Sequence, residues 1–149
     1  MFNGRFDHTI DEKGRVSLPV RFRDVLLREG QDRLYITNFF EDRYHCLEAY
    51  LPNGWERVVE KFADKPLLDE EVQAFETFYV GGAHEVPVDK QGRILLPQKL
   101  REFANLDHEV TFSAKHNRFQ IWDKTILDEK LKSFEERMSD PEYRKKIPF

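Results

Sequence analysis

The sequence predicts an α+β fold with a mainly β core, in which two tandem copies of one small unit share a single barrel flanked by helices. Three observations carry that prediction. First, residues 11–23 read D-E-K-G-R-V-S-L-P-V-R-F-R and residues 89–101 read D-K-Q-G-R-I-L-L-P-Q-K-L-R, so Asp11, Gly14, Arg15, Leu18, Pro19 and Arg23 recur 78 positions later as Asp89, Gly92, Arg93, Leu96, Pro97 and Arg101. Second, the downstream pattern repeats as the offset drifts from 78 to 72: Leu34-Tyr35-Ile36-Thr37 corresponds to Val110-Thr111-Phe112-Ser113, and Leu47-Glu48-Ala49-Tyr50 to Phe119-Gln120-Ile121-Trp122. Third, neither half is long enough to bury a sufficient core alone, and pairing strands between halves solves that problem.

The elements follow in order. Phe6 to Ile10 and Val16 to Leu18 are short β-type runs around D-E-K-G, which has the chemistry of a tight hairpin loop. Asp11 suits bonding to backbone N–H groups two residues on, and Gly14 suits the positive φ such a loop needs. Pro19 fits the first turn of a helix, where its missing N–H costs nothing, and Val20, Val25, Leu26 and Leu27 carry that helix to about Gly30. Strands follow at Leu34–Thr37 and about Cys46–Tyr50, and Pro52-Asn53-Gly54 breaks the chain before a helix from about Trp55 to Phe62. Asp69 to Tyr79 reads as a second helix with Val72, Phe75, Phe78 and Tyr79 on its apolar stripe, and Gly81-Gly82 as the hinge into the next strand. A helix from about Thr125 to Met138 closes the second half, in phase with the first through Leu127, Leu131 and Phe134, and a basic Arg144-Lys145-Lys146 tail follows Asp140-Pro141. The organisation expected is a first unit at 1–51, a helical connector at 52–80, a second unit at 81–124, and a C-terminal helix and tail at 125–149, folded as one pseudo-dimeric domain.

Composition narrows the classes of function. Hydrophobic residues at 40% and aromatics at 13% describe a globular chain. No apolar run approaches the roughly 18 residues of a membrane helix, and the start Met1-Phe2-Asn3-Gly4-Arg5 lacks a signal-peptide core, so a soluble cytoplasmic protein is expected. The lone Cys46 excludes an internal disulfide and a cysteine-only metal site. The formal net charge of −4 argues at face value against a nucleic-acid partner. By segment, residues 1–51 hold 8 basic and 9 acidic residues, 81–122 hold 6 and 5, and the tail from 123 holds 7 of each. The connector, with 3 basic against 7 acidic residues, carries the whole imbalance.

The repeated polar residues belong to the loop: an acid (Asp11, Asp89), a lysine (Lys13, Lys90), an arginine after glycine (Arg15, Arg93), and basic residues near the helix start (Arg21, Arg23; Lys99, Arg101). An Asp four positions before an Arg across a tight loop can hold the guanidinium in one rotamer. A fixed guanidinium loses less entropy on docking to a guanine edge or a phosphate. A solitary loop of this kind would read as ordinary turn chemistry braced by an ion pair. Two copies with the same arginines and the same L-P-x-x-x-R tail point instead to a shared partner.

Other classes of function find less support. The histidines His8, His45, His84, His108 and His116 show no metal-ligand spacing, Glu85 beside His84 reads as a strand-edge pair, and no G-x-x-x-x-G-K loop is present, so no enzyme, cofactor or small-molecule substrate is expected. The aromatics Phe39, Phe40, Trp55, Phe75, Phe78, Tyr79 and Trp122 divide between core and contacts with other copies, which keeps open an oligomeric interaction module.

The opening M-F-N-G-R-F, the D-E-K-G-R-V-S-L-P-x-R-F-R run and the second D-K-Q-G-R-I-L-L-P run resemble the MraZ family, bacterial transcriptional regulators with two SpoVT/AbrB-type units in one chain. The resemblance covers essentially the whole sequence. It implies a swapped-hairpin, AbrB-like, double-psi-type barrel made by the two halves. It also implies ring-like homo-oligomers on the nucleoid that bind short direct repeats in promoter DNA, upstream of the division and cell-wall gene cluster and of the regulator's own gene. The DNA-contacting residues it implies are Arg15 with Asp11 and Arg93 with Asp89. Lys13, Arg21, Arg23, Lys90, Lys99 and Arg101 join them from local charge alone. Gln91 in place of Lys13 and Gln98 in place of Val20 leave open whether both halves are used equally. An AbrB-type antitoxin is the alternative, although such proteins usually carry one barrel half and a toxin-binding tail.

Overall fold

Local signals set the helices of the computed structural model, which describes all 149 residues. Helix α1 (Val20–Arg28) begins directly after Pro19, whose carbonyl accepts from the N–H groups of Phe22 and Arg23, and it ends before Gly30 turns to φ +65°. Helix α2 (Pro52–Ala63) has its proline in the first turn. Helix α3 (Glu70–Tyr79) is capped by Asp69, whose carboxylate accepts from the N–H groups of Glu71 and Val72. In the second half α4 (Gln98–Phe103) follows Pro97 as α1 follows Pro19, and α5 (Lys124–Met138) is capped by Asp123. Asp140 caps a further short helix, α6 (Pro141–Arg144), so Arg144 of the basic tail is helical.

The strands show how the repeat is used. They are β1 (Arg5–Thr9), β2 (Arg15–Ser17), β3 (Arg33–Glu41) and β4 (Tyr44–Tyr50), then β5 (His84–Pro87), β6 (Arg93–Leu95), β7 (Glu109–Ala114) and β8 (Phe119–Asp123). Six form one antiparallel sheet in the order β1-β7-β8-β4-β3-β5, and β2 pairs with β6 as a separate ribbon. That order reads the same from either end when the halves are exchanged, because β1 is the counterpart of β5, β3 of β7 and β4 of β8. Each half therefore donates its first strand to the other: Phe6 lies opposite Phe112 in β7, and Val86 lies opposite Leu34 in β3.

One expectation changes here. The D-E-K-G loop closes as read, with the Asp11 N–H donating to the Arg15 carbonyl at 2.9 Å, but β1 and β2 do not pair with each other as a hairpin. Instead β2 turns across the pseudo-dyad, with Val16 opposite Ile94 and both buried. The loop sets only the reversal; the apolar side chains to be buried decide the partner strand. Gly81-Gly82 is likewise a close contact rather than a free hinge, since a Cβ on Gly82 would lie 2.6 Å from the Phe78 carbonyl oxygen.

The sheet separates two packed layers. On its inner face Leu34, Ile36, Leu47, Ala49, Val110, Phe112, Phe119 and Ile121 meet α1, α4 and the ribbon through Val16, Phe22, Leu26, Ile94 and Leu100. Phe22 is fully buried at the centre, its ring 4.8 Å from Phe119 and 5.2 Å from Phe2. On the outer face Tyr50, Trp55 and Tyr79 join α2 and α3 to the sheet, while Trp122 and Leu127 join α5. Glu48, on that face and 1% exposed, accepts from Arg118 Nε at 2.9 Å, from Gln120 Nε2 at 2.8 Å and from the Tyr79 hydroxyl, so its buried charge is paired and its lone pairs are used. Of the aromatics in question, Trp55, Tyr79 and Trp122 are core, and Phe40 and Phe75 are exposed.

Candidate nucleic-acid interface

The two repeated loops match bond for bond. Asp11 Oδ1 accepts from the N–H groups of Lys13 and Arg15, each at 2.9 Å, and Oδ2 accepts from Arg15 Nε at 2.9 Å. Asp89 Oδ1 accepts from the N–H groups of Gln91 and Arg93 at 2.9 Å, and Oδ2 from Arg93 Nε at 3.1 Å. Gly14 at φ +90° and Gly92 at φ +78° supply the left-handed residue that closes each turn. Each guanidinium is thus fixed through Nε, and its two terminal amino groups have no protein partner, which is the free fork that bidentate recognition uses.

The aspartates hold this geometry over a wide pH range. Bonds from the backbone N–H of Arg15 and of Arg93, ahead of the guanidinium bonds and charges, hold both carboxyls below the usual carboxylate range. A depressed folded-state pKa means that the bracing is complete above the ordinary value of about 4 and is lost as pH falls through the folded value. Loop geometry is therefore expected to be constant between about pH 5 and 8. Carboxyl-carbon NMR titration checks this; midpoints at or above about 4 for Asp11 and Asp89 would contradict it.

The ribbon turns both arginines the same way. Alternation along β2 and β6 buries Val16 and Ile94 and turns Arg15, Ser17, Arg93 and Leu95 to the opposite, solvent side. Arg15 lies opposite Leu95 and Arg93 opposite Ser17, so the two arginines are diagonal neighbours roughly 7–8 Å apart at the backbone. The loop residues Lys13 and Lys90, and Arg21 and Lys99 at the helix starts, are all exposed.

Arg23 and Arg101 are placed differently. Arg23 reaches from α1 into the other half's loop, donating to the Lys90 carbonyl at 2.8 Å and lying against Gly92, where a Cβ would be 2.8 Å from its Cδ. Arg101 makes the reciprocal contact against Gly14, where a Cβ would be 2.6 Å from its Nε, and that Nε donates to the Leu96 carbonyl at 2.9 Å. Both arginines brace the loops from beneath. The motif itself does not single out Ser17 and Leu95; their alternation with Val16 and Ile94 is the signal in the sequence that marks them as outward.

Cys46 is a free, buried cysteine whose thiol pKa is pushed up by burial. No three His, Cys, Asp or Glu side chains converge to hold a metal ion, and no helix is long and apolar enough to cross a membrane.

The fold and site define a class: an internally duplicated, strand-exchanging α+β protein that presents two braced arginines on one exposed ribbon. Residues 1–78 and 79–146 match the family model described as "MraZ protein, putative antitoxin-like". The chain is 42% identical over 128 residues to the "Transcriptional regulator MraZ" of Desulforamulus reducens, covering 86% of this chain and 85% of that one. Proteins of the same name from Acetivibrio thermocellus (40% over 125 residues, 84% and 82% covered) and Caldanaerobacter subterraneus subsp. tengcongensis (39% over 133 residues, 89% and 88% covered) are similarly close. The chain belongs to the MraZ family, and these relatives are named as regulators rather than enzymes.

Proposed function

We propose that the chain is a sequence-specific transcriptional regulator that binds double-stranded DNA through the β2–β6 ribbon, acting on the nucleoid in the cytoplasm. The observation that carries this reading is the pair of matching Asp–Arg loops, each with a free guanidinium fork on one outward face. A two-stranded ribbon fits the major groove, and a fixed arginine fork matches the guanine O6 and N7 acceptors there. Lys13, Lys90, Arg21 and Lys99 stand beside it for phosphates. The relatives' name supports the same reading. The family's antitoxin-like description favours a second reading as an antitoxin, against which the duplication places both barrel halves in one chain.

The DNA target is a set of short direct repeats in promoters of the division and cell-wall cluster, its own included, and the binding species is a ring-like homo-oligomer. Exposed Phe40 and Phe75, together with Leu67 and Leu68 in the α2–α3 turn, provide apolar surface for contacts between copies. With a net charge of −4 per subunit, affinity comes from several copies engaging successive repeats, which raises it by about 10²–10⁴-fold over one contact. Gel shifts with the promoter of its own gene, alongside light scattering of the free protein, test this. Two or more repeats should bind far more tightly than one, and equal affinity for one repeat and for several would sink the proposal.

A further inference from the structure

We infer that Leu95 and Ser17 make the ribbon read its two half-sites differently, with Leu95 packing against a thymine methyl and Ser17 making a hydroxyl contact at the symmetry-related position. The inference rests on the DNA reading above. Position 17 in β2 and position 95 in β6 are equivalent in the repeat, and both point out on the face that carries Arg15 and Arg93. Leu95 is 55% exposed and lies directly opposite Arg15, whose fork is free. No other apolar side chain points outward on the ribbon. In the major groove the apolar group offered at a base edge is the thymine C5-methyl, and hydroxyls accept or donate at any base.

The symmetry argument follows from the same pair. A ribbon with identical residues at both outward positions would favour a palindrome, because the protein's two-fold symmetry would be copied in the DNA. Arg15 and Arg93 obey that symmetry, and Leu95 against Ser17 breaks it on the same outward face. One protomer therefore selects an element with a direction, holding a guanine on either side and a thymine beside only one of them.

Selection from duplex DNA carrying a random stretch of about 20 bp, two helical turns, identifies the element that wild type prefers. Each thymine in it is then replaced by deoxyuridine, which lacks the methyl group. Wild type should lose about fourfold in affinity at one thymine of each repeat, the worth of one buried methyl group. Leu95→Ser should bind the parent element but ignore that replacement and select a more nearly palindromic sequence. Ser17→Leu should gain sensitivity at the symmetry-related position. Uridine sensitivity that is absent in wild type, or unchanged in Leu95→Ser, overturns the inference while the DNA reading stands. Failure of wild type to enrich any sequence overturns both.

Discussion

Arg15→Ala combined with Arg93→Ala is expected to abolish sequence-specific DNA binding and to leave the melting temperature nearly unchanged. Removing one arginine–guanine pair costs about 1–3 kcal/mol of discrimination. The two arginines are diagonal neighbours on one short ribbon, so the two effects need not add. The fold should tolerate the change because the Asp11 and Asp89 pairs are solvent-exposed and screened, and each aspartate keeps its two backbone bonds. Fluorescence anisotropy against salt separates two modes of action. If the arginines read guanine, preference among sequences flattens in the double variant. If they touch only phosphate, preference survives and the salt slope falls by about 0.9 for each phosphate no longer neutralised. Undiminished specific binding would remove both residues from the interface.

Phe22→Ala should destabilise the whole chain by about 3–5 kcal/mol, a large part of the roughly 5–15 kcal/mol that holds a typical domain together. Phe22 belongs to the first half, yet its ring lies 4.8 Å from Phe119 and 6.3 Å from Phe112 in the second, as well as 5.4 Å from Phe6. Loss of the ring leaves a cavity shared by both halves, so urea unfolding should remain a single transition at lower denaturant. A second transition at the wild-type midpoint would mean that the halves unfold independently, contrary to the interlocked sheet.

Most helices and the loops are legible in the sequence because their determinants are local; the exceptions are Pro52-Asn53-Gly54, which begins α2 rather than breaking the chain before it, and the short α6. Pro19 and Asp69 mark helix starts within one or two residues, and Asp11, Gly14 and Arg15 complete their hydrogen bonds within five consecutive positions. The strand partners are not legible. Alternation reveals that Val16 is buried and Ser17 is not, but any apolar strand could lie beside Val16, and the one that does holds Ile94, far along the chain. The roles of Arg23 and Arg101 are hidden for the same reason. Both look like the neighbouring basic residues in sequence, and only the crossing of the two halves sets each beneath the other's glycine. Local charge groups them with Arg21 and Lys99, and the fold sets each against a loop glycine of the other half.

The charge balance acquires a physical meaning from the layers. The acidic connector forms α2 and α3, which pack on the outer face of the sheet, whereas α1, α4 and the ribbon pack on the inner one. The surplus negative charge therefore stands behind the sheet from the arginine forks. The net charge of −4 averages over two sides of the sheet that are charged differently.

The exchange of first strands also sets a timetable for synthesis. Strand β1 finds its hydrogen-bond partner only in Glu109–Ser113, so it leaves the ribosome well ahead of that partner and waits for it before its edge is covered. Contacts between such distant residues make folding slow, because a long loop must close before any pairing is gained. Until then the nascent N-terminal half exposes an unpaired strand and an open apolar face, a template for pairing with the same half of a neighbouring nascent chain. The covalent tether between the halves counters that outcome by keeping each half's correct partner at high local concentration.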